Sequence, residues 1–92
     1  MQGLAGRVAL VTGAGRGIGR AICLAYGAAG AKVAVSARST DELASVVQDI
    51  RAAGGTAEAF PADLSDPAVP ASLLESVAAT LGTVEVLSLI HI

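Results

Sequence analysis

Aromatic residues are almost missing from this chain of 92 residues, which has no tryptophan, one tyrosine and one phenylalanine. Any core must therefore be built of alanine, valine, leucine and isoleucine, within a hydrophobic share of 53%. Cysteine is scarce as well. Cys23 stands alone, which excludes an internal disulfide and fits a reducing compartment. It sits in an apolar helical pattern and reads as a small buried core residue rather than a reactive thiol. Charge is sparse and scattered singly, with a formal net value of −2. There is no basic stripe of the kind that nucleic-acid binding requires, so nucleic acid is excluded as a partner. Arg7 is the only charge before a short apolar run that glycine soon breaks, a pattern of neither a signal peptide nor a membrane span. A cytoplasmic protein with no membrane contact is expected, and the length allows one small domain at most.

What the chain does have is glycine, placed between short apolar runs. "RVALVT" (7–12) is continuously apolar after its arginine, as in a strand covered on both faces. In "IGRAICLAYGAAG" the residues Ile18, Ile22, Ala25 and Ala29 fall at helical spacing, and Gly30 is a helix stop. "AKVAVSA" (31–37) predicts a second strand. The next helix opens on a capping box, Ser39 with Glu42, and carries Leu43, Val46, Val47 and Ile50 as its apolar stripe before Gly54 and Gly55. "TAEAFPA" (56–62) predicts a third strand, with Pro61 pointing to a sheet edge. "SDPAVPASLLESVAATLG" (65–82) predicts a third helix with Val69, Leu73, Val77 and Leu81 on one face. Its Pro67 and Pro70 are tolerable only in or near the first turn. "VEVLSLI" (84–90) predicts a fourth strand. Strands separated by helices of this length pair in parallel, so the order βαβαβαβ predicts an α/β, Rossmann-like, doubly wound parallel sheet in the order 3-2-1-4, truncated after the fourth strand.

The stretch "LVTGAGRGIG" (10–19) joins the first strand to the first helix. Bare backbone there exposes N–H groups at a helix N-terminus, where unpaired donors and the helix dipole favour an anion, usually phosphate. The blander reading is a tight strand-to-helix turn whose glycines serve sterics alone. No Gly-Lys-Ser/Thr follows, so this is not a P-loop, and Ile18 and Arg20 stand where G-x-G-x-x-G would need its third glycine. The pattern that does fit is T-G-x-x-x-G-x-G, on Thr12, Gly13, Gly17 and Gly19.

With that pattern, "GAKVAVSAR", "PADLSD" and "LGTVEVL", the chain resembles the classical short-chain dehydrogenase/reductase family, 3-oxoacyl-carrier-protein reductases in particular, over residues 4–87. The resemblance implies that Gly13, Arg16, Gly17, Ile18 and Gly19 line the pyrophosphate and ribose of a nicotinamide dinucleotide. It implies that Asp63 and Leu64 meet the adenine, Asp63 accepting from its exocyclic amine; the alternative for Asp63 is a solvated turn or capping aspartate. An NAD site usually carries an acid at the end of the second strand, to bond the ribose 2′-OH. Ala37 stands at that place and Arg38 follows. Arg38 can make charge-assisted hydrogen bonds to a 2′-phosphate, with Arg16 reaching it from the other side, so NADP is favoured over NAD. The alternative is an Arg38 that caps the strand in solvent.

The family's chemistry is hydride transfer between nicotinamide and a carbonyl or alcohol carbon of a small molecule, with proton transfer by a tyrosine in a Tyr-x-x-x-Lys helix and a serine polarising the oxygen. None of these catalytic residues is present in the chain. Tyr26 has Gly30 four residues on and reads as packing, and His91 has no partner constellation near it. No metal ligand set is expected. The Asn-Asn-Ala-Gly that the family places after "EVL" is replaced by "SLIHI". Back-translated, residues 87–92 can be read as CTGTCTCTTATACACATC, a transposon end used in library preparation; the alternative is a genuine short product with an unusual tail. Residues 1–87 are thus expected to be the N-terminal part of an NAD(P)-binding domain and 88–92 a non-native tail. The expectation is an NADP-dependent oxidoreductase present as its cofactor-binding fragment, inactive alone and homo-oligomeric at full length. The alternative, a non-catalytic dinucleotide-binding module, is disfavoured because the apolar last strand would form an uncovered sheet edge.

Overall fold

The computed structural model describes residues 4–15, 17–63 and 65–88. Its elements run β1 (Val8–Thr12), α1 (Gly17–Ala28), β2 (Lys32–Ser36), α2 (Thr40–Ala52), β3 (Thr56–Ala59), α3 (Val69–Thr80) and β4 (Val86–Ser88). The four strands form one parallel sheet in the order β3-β2-β1-β4. This is the Rossmann-like α/β arrangement that the alternation of runs implies. Every residue of β1 is buried, because the strand has a neighbour on each edge and cover on both faces.

Alternation along the strands divides the core in two. Ala9, Val11, Val33 and Val35 face one way and pack with Cys23 of α1 and with Leu43, Val46, Val47 and Ile50 of α2. Val8, Leu10 and Ala34 face the other way and pack with Leu73 and Val77 of α3. The stripe expected for α2 is the one buried. That of α3 is buried at Leu73 and Val77 and half-buried at Val69 and Leu81. Tyr26 packs against the first cluster, as a structural tyrosine should.

On α1 the structure departs from the apolar spacing. Its buried residues are Gly19, Cys23 and Gly27, and Ile18 is 72% exposed. Small side chains win this face because the helix lies too close to its neighbours for larger ones. A Cβ on Gly27 would stand 2.8 Å from Cγ2 of Ile50, and one on Gly55 would stand 2.7 Å from the same methyl. Cys23 is fully buried, and burial pushes its thiol up to about 12. It is a packing residue, not a nucleophile.

Element ends follow local chemistry. Ser39 Oγ accepts from the N–H of Glu42 at 3.3 Å and starts α2. Helix α1 closes with Gly30 N–H donating to Gly27 O and Ala31 N–H to Tyr26 O, a Schellman pair. Helix α3 starts later than expected, at Val69. Asp66 holds a turn before it, accepting from Ala68 N–H at 3.0 Å on its side chain, and this leaves Pro67 outside the helix and Pro70 in its first turn. Strand β3 lies at a sheet edge, as Pro61 predicts, and ends at Ala59. Of the fourth predicted strand, 86–88 is observed, and 89–92 lies outside the described residues.

The glycine–isoleucine contact generates a test. At an exposed helix site Gly→Ala gains up to about 1 kcal/mol. At Gly27 the collision with Ile50 opposes that gain, and overpacking costs about 1–3 kcal/mol. Gly27→Ala should therefore lower the midpoint of thermal unfolding followed by circular dichroism. A raised midpoint would show that α1 and α2 can separate freely.

Candidate functional site

Three strands end on the same side of the sheet, and main-chain hydrogen bonds carry their pairing past the last strand residues. Ala14 N–H donates to Ser36 O at 3.0 Å, Phe60 N–H to Val35 O at 2.9 Å and Ala62 N–H to Ala37 O at 3.0 Å. The turn after β1, the end of β2 and the segment after β3 therefore form one rim. Gly13, Arg38 and Asp63 stand along it.

The turn itself is shaped by two glycines with positive φ, Gly13 at 63° and Gly17 at 61°. Other residues pay about 1–2 kcal/mol for that conformation. Gly19 serves a different need. A Cβ there would lie 2.1 Å from the carbonyl oxygen of Gly13 and 2.8 Å from its carbon. The first turn of α1 is thus pressed onto the strand end, and only glycine permits the contact. Above Gly17 nothing among the described residues lies within 4 Å of the place where a Cβ would be. The leading N–H groups of a helix have no intrahelical partner, so an open, side-chain-free approach to them suits a phosphate. The residues present fit a dinucleotide pyrophosphate. Ile18, exposed at the same turn, borders this approach.

Arg38 is exposed directly beyond β2. Asp63 is exposed and closes a small turn, its Oδ1 accepting from Ser65 Oγ at 2.7 Å and Ser65 N–H at 3.0 Å. The Ser65 hydroxyl, then the Ser65 amide, and last the nearby positive charge of Arg38 hold the Asp63 carboxyl below its ordinary value. Arg16 and Leu64, also expected at the site, lie outside the described residues. One neighbour of the rim escaped sequence reasoning. The side chain of Glu42 lies against the glycine turn, with its Cβ 2.9 Å from where a Cβ of Gly15 would stand. The capping box identifies Glu42 as a helix-start residue but is silent on which loop the helix start faces.

Ser36 Oγ is buried at the rim with no hydrogen-bond partner among the described residues. Among those residues there is no group of three or more His, Cys, Asp or Glu that could hold a metal ion, and no helix long and apolar enough to cross a membrane.

A glycine turn at a helix N-terminus, placed at the carboxyl ends of a doubly wound parallel sheet, defines a dinucleotide-fold protein. A profile of the family described as short chain dehydrogenase matches residues 7–89, and the chain belongs to that family. Versicolorin reductase 1 of Aspergillus parasiticus is 46% identical over 86 residues, covering 92% of this chain and 33% of that protein. A metagenomic short-chain oxidoreductase, solved in complex with NADP, superposes with a TM-score of 0.87 at 45% identity, covering 91% of this chain and 38% of that one. A short chain dehydrogenase/reductase from Burkholderia phymatum, solved with NAD, gives 0.88 at 32% identity, covering 95% and 31%. The chain spans about a third of the length of the relatives it matches.

The two glycine roles separate experimentally. Gly19→Ala collides with backbone and should lower thermal stability by more than the roughly 1–2 kcal/mol that Gly17→Ala costs through its backbone angle alone. Paired melting curves decide this. Equal losses would mean that α1 is not pressed onto Gly13.

Proposed function

We propose that the chain is the cofactor-holding part of an NADP-dependent oxidoreductase of the short-chain dehydrogenase/reductase type, acting on a carbonyl or alcohol of a small molecule. The observation that carries this reading is the glycine turn under α1, set on one rim with Arg38 and with no acid at Ala37. Bound there, the nicotinamide would supply hydride to a carbonyl carbon as NADPH, or accept it from an alcohol carbon as NADP⁺. Gly13, Gly17, Ile18 and Gly19 leave the pyrophosphate free access to main-chain N–H groups, and Arg16 and Arg38 meet the ribose 2′-phosphate. Asp63 and Leu64 meet the adenine, with Asp63 kept ionised by Ser65 and able to accept from an amine. Relatives solved with NADP and with NAD support a dinucleotide, and Arg38 in place of an acid favours NADP.

Among the described residues no tyrosine, the proton-transfer group of the family, stands at this rim. The single tyrosine, Tyr26, packs against the core, and no lysine stands four residues after it. The chain as it stands should therefore reduce no carbonyl with NADPH. Turnover above buffer by the purified chain, cleared of host enzymes, would overturn that.

Arg38 provides the direct test of cofactor choice. Losing a hydrogen bond to a charged group costs about 1.5–3 kcal/mol, and an aspartate adds repulsion. In Arg38→Asp the ratio of the dissociation constants for NADP and NAD should shift toward NAD by at least about tenfold. Titration calorimetry measures it. An unmoved ratio would remove Arg38 from the discriminating role.

A further inference from the structure

Strand β3 is a sheet edge, and among the described residues no strand lies beyond it. Successive residues of a strand turn their main-chain groups to opposite edges. Phe60 N–H points inward, to Val35 O, so Ala57 and Ala59 turn their N–H and C=O groups outward. An outward row of that kind is a template for a further strand. Here it is not bare. Arg51, in the last turn of α2, donates from Nε to the Ala57 carbonyl oxygen at 3.1 Å. Its Nη2 reaches Glu58 Oε1 at 2.8 Å. Ala57 is buried on the face that packs against α2, and alternation puts Glu58 on the opposite face. The guanidinium therefore lies across the edge, from one face of the sheet to the other.

We propose that Arg51 and Glu58 form a clamp that closes the β3 edge against strand pairing with a second copy of this chain. The edge is otherwise self-complementary. In an antiparallel pair about a two-fold axis at Glu58, Ala57 of each copy stands opposite Ala59 of the other, and the two exchange main-chain hydrogen bonds. The side chains at both positions are small, and Ala59 is exposed. Beside them an open groove of about 640 Å³, bordered by Ala44, Val47 and Ala52 of α2, leaves room for an added strand. Pairing requires the Ala57 carbonyl, which Arg51 occupies. It also brings two Glu58 carboxylates directly opposite each other, which is unfavourable. Both side chains of the clamp are about half exposed, and such ion pairs add little to stability. Exclusion of a partner strand is what the pair contributes.

The test compares the unsubstituted chain with the double variant Arg51→Met/Glu58→Gln, which keeps two long side chains and removes both charges. In sedimentation equilibrium over a concentration series, the mass of the variant should rise toward roughly twice that of the unsubstituted chain, as two paired copies require. At the dilute end its circular dichroism spectrum and melting midpoint should match those of the unsubstituted chain. Adding Ala59→Pro should abolish the rise, because proline removes an outward N–H and leaves the ladder to β2 intact. A double variant that associates no more than the unsubstituted chain overturns the proposal. Association that survives Ala59→Pro also overturns it, since the contact then lies on another surface. A lowered midpoint without association would make the pair a support for the fold and nothing more.

Discussion

The approach of Gly19 to the Gly13 carbonyl is the constraint on which the rest of the molecule depends. With a Cβ excluded at 2.1 Å from that oxygen, the first turn of α1 can be brought directly onto the carboxyl end of β1. Two consequences follow from one contact. The helix N-terminus, with its unpaired donors, is delivered to the end of the central strand, where an anion can reach it. The helix also lies low on the sheet, so its buried stripe must consist of small residues, Gly19, Cys23 and Gly27. The same closeness continues sideways, where Ile50 of α2 fills the space between Gly27 and Gly55. The glycine turn at the helix N-terminus and the core packing of that face are therefore one arrangement, and a side chain that harms one harms the other.

The ion pairs Arg7–Glu85 and Arg51–Glu58 are exposed on both sides and contribute little to stability. What matters for function is that Ala14, Ala37 and Ala62 are tied into the rim by main-chain bonds. Those bonds put the cation after β2 and the aspartate after β3 on the rim that begins with the glycine turn.

The alternation of strand and helix and the span of α2 were legible because they rest on local rules. Continuous apolar runs mark strands covered on both faces, and the stripe of α2 reads at its proper period. Ser39, Gly30 and Gly54 punctuate as capping chemistry requires. Where the reading of α1 failed, the cause was tertiary. Ile18 and Ala25 fit the apolar spacing yet lie exposed, because the neighbouring backbone stands too close for anything larger than glycine or cysteine on the buried side. The late start of α3 has a local cause, the turn that Asp66 makes ahead of Pro67 and Ala68.

By itself, the sequence determined the alternation of strand and helix, the parallel pairing that short helical crossovers force, and the glycine turn after the first strand. These depend on residue type and spacing within one element or its immediate neighbours. The tertiary structure alone decided which glycine is pressed against a carbonyl, which face of α1 is buried, and that Glu42 meets Gly15 across 27 positions of chain. Such contacts are set by how closely whole elements approach. That distance is a property of the packed sheet and helices together, and no single segment carries it.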